Sequence, residues 1–191
     1  MPIELHGNWK WGSAYDVHTT QSEHYVDEYG HDRWNNTRSE MGELVYQLKY
    51  RNDKSTIDKI INLILSGYNG LESVNYIIPA PPSKTRAFQP VYEIAIELGK
   101  KLNIQILTNV LSKNIGSSEL KGIDDPEERE SALRSSMHIA NHNILFRKDI
   151  LLIDDLYRSG STLKVATELL YNAGKVKNVY VLAMTKTRSK R

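Results

Sequence analysis

The sequence predicts an α/β protein, a mostly parallel sheet flanked by helices with an N-terminal cap or hood. Three observations lead there. From Val74 onward, short apolar runs alternate with amphipathic segments, the rhythm of crossovers that build a parallel sheet. The runs carry no polar alternation, as strands covered by helices on both faces require. One run, "ILLIDD" (150–155), ends in two adjacent carboxylates and passes into "LYRSGSTL", a hydroxyl-rich loop around Gly160. Ligands of open α/β sheets bind beyond the carboxyl ends of strands, so this junction is the first candidate site.

The elements follow in order. The first 35 residues hold all three tryptophans (Trp9, Trp11, Trp34) and four of the six histidines without clear periodicity, and read as an irregular or short-stranded cap. Asn36 or Thr37 is placed to cap a helix carrying Met41, Leu44, Val45 and Leu48 at helical spacing. A second helix follows "RNDKST", with Ile57, Ile60, Ile61, Ile64 and Leu65 on one side and Gly67 at its end. Residues 1–73 thus form a cap or hood with two helices, and 74–191 an α/β core. The core reads "VNYIIPAP" (strand), "VYEIAIELGKKLN" (helix), "IQILTNVL" (strand), "DILLIDDL" (strand), "STLKVATELLYNAG" (helix) and "NVYVLAMT" (strand). Between the second and third strands lies an excursion, Ser112 to about Ser136, too long for an ordinary loop and rich in Lys, Glu, Ser and Gly. Within it, "DDPEERESALRSSM" predicts a short helix capped by Asp124 or Asp125, with Pro126 at its first position.

Composition narrows the function. The 191 residues suit one domain with an elaboration. A net charge of +2, from 25 basic and 23 acidic residues, is no global footprint for nucleic acid, so any such contact would be local. The basic tail "TKTRSKR" reads as a solvated end. With no cysteine, disulfides, thiolate metal sites and a cysteine nucleophile are excluded. The N-terminus lacks a signal-like apolar core and runs such as "IINLIL" are too short to span a bilayer, so a cytoplasmic protein without a membrane partner is expected. His18, His24 and His31, with nearby Glu23, Asp27 and Glu28, match no compact metal-ligand spacing.

The junction at 150–163 has a specific chemistry. Tyr157 to Thr162 lead into a helix start, where backbone N–H groups lack partners and the dipole favours an anion. Gly160 permits close backbone approach, and the hydroxyls of Ser159, Ser161 and Thr162 add donors, which suits a phosphate monoester. Asp154 and Asp155 would repel that phosphate, so their targets are hydroxyl groups one sugar-length away. A phosphorylated ribose meets both demands. The loop is not a Walker loop, since Gly-x4-Gly-Lys-Ser/Thr is absent.

"ILLIDDLYRSGSTL" resembles the phosphoribosyl pyrophosphate (PRPP) signature of type I phosphoribosyltransferases. Three further segments make the chain similar to the ComF (competence protein F) family: "YQLKYRND", "IIPAPPSKTRAFQPV" and "ELKGIDDPEERESAL". The similarity covers about Arg38 to Arg191. It departs at the N-terminus, where many members carry a four-cysteine zinc ribbon and this chain has none.

The resemblance implies a type I phosphoribosyltransferase-like fold and a PRPP site. Asp154 and Asp155 would hold the ribose and, with Arg86, serve catalysis. Arg158, Ser159, Gly160, Ser161 and Thr162 would hold the 5′-phosphate. Ala80, Pro81, Pro82, Ser83, Lys84 and Arg86 would face the pyrophosphate, and Lys113 and Lys121 would belong to a closing loop. Mg2+ would bind mainly through the substrate, with no direct protein ligand. A hood before Val74, with Trp9, Trp11, Trp34, Tyr15, Tyr25 and Tyr29 as stacking faces, would take the acceptor, a nitrogen nucleophile of the nucleobase kind. Two functions fit: an enzyme of nucleotide metabolism releasing pyrophosphate from PRPP, or a non-catalytic PRPP or nucleotide sensor, or competence accessory of DNA uptake, using the same cradle. Either is compatible with a homodimer.

Overall fold

The computed structural model describes residues 2–82, 88–114, 123 and 125–188. Strands β1 (Ile3–Glu4), β2 (Trp11–Val17), β3 (Thr19–Val26) and β4 (Asp32–Arg38) precede helices α1 (Glu40–Arg51) and α2 (Thr56–Gly67). Then come β5 (Tyr76–Pro79), α3 (Pro90–Leu102), β6 (Gln105–Ile106), β7 (Leu111–Lys113), α4 (Pro126–Ser136) and β8 (Met137–Ile139). The chain closes with β9 (Asp149–Tyr157), α5 (Ser161–Asn172) and β10 (Asn178–Lys186).

Among the described residues the central sheet has six strands in the order β1-β2-β10-β9-β5-β6. All neighbours are parallel except β1, which runs antiparallel to β2 at the edge. The mostly parallel α/β sheet flanked by helices is therefore present. From β5 the chain steps outward to β6, then returns to the other side of β5 with β9 and β10. The strand order reverses between β5 and β9, and such a switch point leaves a crevice beyond the strand ends.

Strand alternation distributes the core between two layers. Ile77, Leu151, Ile153, Leu182 and Met184 pack with the buried stripes of α1, α2 and α3. Ile78, Ile150, Leu152, Val181 and Ala183 face the other way, against Leu133 of α4 and Leu163, Val165, Ala166 and Leu170 of α5. Every one of these strand residues is fully buried, the signature of a sheet covered on both faces.

The N-terminal region differs from the expected cap. β2 pairs in parallel with β10 from Tyr180↔Trp11 to Lys186↔Val17, so it is part of the core sheet. Trp9 is only 8 % exposed and donates from Nε1 to the Leu5 carbonyl at 2.8 Å, a packing role. β3 and β4 form a separate antiparallel hairpin whose residues are almost all exposed. That hairpin extends through Arg38, so Asn36 and Thr37 are strand residues. The cap of α1 is Ser39, whose hydroxyl accepts from the Gly42 N–H at 3.0 Å and donates to the Val17 carbonyl at 2.5 Å. Helix α4 is capped by Asp125, which accepts from the N–H groups of Glu127 and Glu128 at 2.9 Å each. Strands β7 and β8 pair antiparallel on either side of the excursion, a ribbon its polar composition does not announce.

Candidate active site

A cavity of about 450 Å³ opens at the switch point between β5 and β9. Its floor is the end of β9 with Asp154 and Asp155. One wall is the loop 157–162, another Ala80, Pro81 and Pro82 after β5, and further sides come from Lys49 and Tyr50 of α1 and Arg129 of α4.

The alternation of β9 sends the two acids to different neighbours. Asp154 follows the parity of Ile150 and Leu152, toward the α4 and α5 layer, and Asp155 that of Leu151 and Ile153, toward α1. On that side Lys49 Nζ donates to Asp155 Oδ2 at 2.5 Å, with 24 % and 14 % of the two side chains exposed. Burial opposes the charge of Lys49, but Asp155 and then Asp154 outweigh it and hold the ammonium above the ordinary lysine value. Asp154 accepts from the Asp155 N–H at 2.8 Å. Its burial, with the Asp155 carboxylate beside it, pushes its carboxyl up to about 7. Toward α4 lies Lys113, half-buried on β7. Its burial lowers its pKa, against the attraction of Asp154 and with the repulsion of Arg129.

The loop between β9 and α5 is shaped for close approach. Gly160 sits at φ +81°, and a Cβ there would lie 2.5 Å from the Tyr157 hydroxyl. Ser159 Oγ is 3.0 Å from Ser161 Oγ and accepts from the Ser161 N–H at 3.4 Å. Gly160, the N-cap of this helix, offers no side chain to its first turn, whose residues Ser161, Thr162 and Leu163 line the cavity. The loop thus presents amides, hydroxyls and Arg158 on one rim, with two carboxylates on the floor.

Of the residues singled out in the sequence, Ala80, Pro81, Pro82, Asp154, Asp155, Arg158, Ser159, Gly160, Ser161 and Thr162 line this one cavity. Lys113 is not among the lining residues but is near enough to Asp154 for their charges to attract. Ser83, Lys84, Arg86 and Lys121 lie outside the described residues. The aromatic hood takes a different form: Trp9, Trp11, Trp34, Tyr15, Tyr25 and Tyr29 are not among the lining residues. Trp11 and Tyr15 instead meet Tyr68 edge to face, with centroids 5.8 and 6.3 Å apart. The aromatic at the cavity from the N-terminal half is Tyr50, 60 % exposed.

Sequence reading assigned no role to Lys49, Tyr50 or Arg129, although Lys49 and Tyr50 lie in "YQLKYRND" and Arg129 in "ELKGIDDPEERESAL". For Lys49 a signal existed: it lies four residues after buried Val45 and one after buried Leu48, at the margin of the apolar stripe, where a lysine must bury its stem. For Arg129, on a helix polar almost all round, periodicity gave none.

The described residues do not fit a protein-held divalent cation. No three histidine, aspartate or glutamate side chains among them gather as ligands, and the outer oxygen of Asp155 is taken by Lys49. No described helix is long and apolar enough to cross a membrane.

No family model matches the sequence, and no curated protein matches it. Among solved structures the chain is similar to an orotate phosphoribosyltransferase from Aeropyrum pernix, at 12% identity and TM-score 0.43, over 86% of this chain and 73% of that one. It is also similar to an adenine phosphoribosyltransferase from Thermoanaerobacter pseudethanolicus, at 12% identity and TM-score 0.45, over 86% and 95% of the two chains. A third likeness is to an adenine phosphoribosyltransferase from Leishmania donovani, at 11% identity and TM-score 0.41, over 100% and 92%.

Proposed function

We propose that this protein is a phosphoribosyltransferase of type I architecture that binds PRPP and transfers its phosphoribosyl group to a nitrogen nucleophile. The observation that carries the reading is the placement of an acid pair and a glycine-hydroxyl loop on adjoining sides of one cavity at the switch point of the sheet. The loop 158–162 and the first turn of α5 take the 5′-phosphate through N–H and hydroxyl donors. Asp154 and Asp155 accept hydrogen bonds from the ribose hydroxyls. The segment after β5 faces the diphosphate, and Arg129 on the cavity wall supplies positive charge near the two acids.

In the reaction the bond from C1 to the diphosphate oxygen breaks and its electron pair leaves with pyrophosphate. The acceptor nitrogen bonds to C1 and releases its proton to solvent. The developing positive charge lies on the ribosyl centre, so the chain contributes positioning and electrostatic stabilisation and needs no covalent nucleophile. Magnesium enters as part of the substrate, carried on the diphosphate. The ComF-like segments suggest a family placement but leave the acceptor unassigned.

Incubating the purified protein with PRPP, magnesium and a panel of nucleobases, and measuring released pyrophosphate, tests transfer. Release dependent on one base identifies the acceptor. PRPP binding without release with any base would replace the enzyme by a sensor built on the same cradle.

A further inference from the structure

Two neighbouring carboxylates at the bottom of a cavity repel each other and need a positive partner, commonly a metal ion or a proton. Here a positive group already stands there. Lys49 reaches Asp155 from α1, 106 residues earlier in the chain, and the contact at 2.5 Å is half-shielded from water. It is no wandering surface lysine. The N-terminal half of α1 is pressed onto the main chain at His18, where a Cβ on Gly42 would lie 2.1 Å from the His18 carbonyl oxygen. His18 in turn donates its N–H to the Lys186 carbonyl of β10 at 2.8 Å, and Thr185 of β10 donates its hydroxyl to the Asp155 carbonyl at 3.1 Å. Helix, strand and acid are thus fixed in one frame, and Lys49 lies in the last turn of α1, where the helix dipole favours a cation.

We infer that Lys49 is the resident counter-cation of the ribose subsite and takes the place of a divalent metal on the acid pair. It is a positioning residue: it holds the Asp155 carboxylate in place, while the other oxygens of the pair remain to accept from a ribose diol. Among the described residues, the other charged groups near the pair include Arg129 of α4 and Arg158, which line the cavity, Lys113 of β7, and His18, with Arg38 and Glu43 beside it. The inference rests on the reading of the cavity as a ribose phosphate site and adds a metal rule to it. Ligands without a diphosphate bind independently of magnesium, and magnesium dependence is confined to ligands that carry one.

Calorimetry with ribose 5-phosphate, in magnesium and in EDTA, decides it for the wild type, Lys49→Arg and Lys49→Gln. The wild type and Lys49→Arg bind equally well in both buffers. Lys49→Gln binds about ten-fold or more weakly in EDTA, the loss of a charge-assisted contact, and recovers in part when magnesium supplies the missing charge. Lys49→Gln binding as tightly as the wild type in EDTA overturns the inference. A second measurement needs no variant: magnesium added to the wild-type complex with ribose 5-phosphate leaves the carboxyl carbon resonances of Asp154 and Asp155 in place, and metal-induced shifts of either overturn the inference. If the wild type binds neither ribose 5-phosphate nor PRPP, the proposed function itself falls, an outcome distinct from both of these.

Discussion

Asp154 and Asp155 are consecutive on β9 yet serve opposite faces of the sheet, Asp155 tied to Lys49 of α1 and Asp154 turned toward the layer of α4 and α5. The strand's two-residue period gives chemically identical neighbours unlike surroundings. One has a lysine in direct contact, and the other is half-buried beside a carboxylate.

That asymmetry makes Asp154 a pH-dependent weak point. Its folded pKa, about 7, lies above the ordinary 3.8, so the native state keeps a proton that the unfolded state has lost between those values. The stability this proton confers is full below about 3.8 and is lost as pH rises through 7. Asp154→Asn removes the loss. Its unfolding free energy relative to the wild type, measured by urea unfolding, should rise between pH 5 and pH 8 by an amount on the order of 1–3 kcal/mol, one pK step being about 1.4 kcal/mol. A difference that stays flat across this range would mean Asp154 titrates as an ordinary carboxyl.

Gly160 is fixed by two independent constraints, its φ of +81° and the Tyr157 hydroxyl 2.5 Å from where a Cβ would be. Gly160→Ala should cost about 1–3 kcal/mol in urea unfolding. Adding Tyr157→Ala should recover only the steric part. Full recovery in the double variant would show that the backbone conformation carries no cost.

Gly42 lies in the first turn of α1, where alanine would ordinarily gain up to about 1 kcal/mol of helix propensity. Because its Cβ would meet the His18 carbonyl oxygen at 2.1 Å, Gly42→Ala should instead destabilise, by about 1–3 kcal/mol. Stabilisation in urea unfolding would mean that α1 does not sit on the chain at His18.

The tryptophans divide by burial. Trp9→Ala should cost about 3–5 kcal/mol as a core truncation. Trp34, 61 % exposed on the hairpin, should cost about 0.5 kcal/mol or less when replaced by alanine. Equal losses in thermal unfolding would contradict the placement of Trp9 under the sheet.

The parts of the fold legible in the sequence share one property: their signal is local. Strands β5, β6, β9 and β10 announce themselves as apolar runs between amphipathic helices, and the floor and phosphate-side rim of the cavity lie in the one segment 154–162. What was hidden depends on distant partners. β2 reads as a mixed stretch because Trp11 is exposed while Gly12, Ser13 and Ala14 are buried beside β10. The β3–β4 hairpin exposes nearly every residue and so has no alternation to read. Lys49 looks like any helix-end lysine until β9 brings Asp155 to it. The aromatic enrichment near the N-terminus is compatible with either stacking or packing; Trp9 packs in the core, and Trp11 stands beside Tyr68.

The most direct test of the central claim, that this cavity holds a phosphorylated ribose through its acid pair, is the PRPP affinity of Asp154→Asn/Asp155→Asn against the wild type by titration calorimetry, with circular dichroism to verify folding. The wild type should bind PRPP, and the folded double variant should bind at least about 100-fold more weakly, since two charge-assisted hydrogen bonds to the ribose are replaced by neutral ones. Unchanged affinity in a folded double variant would contradict the account.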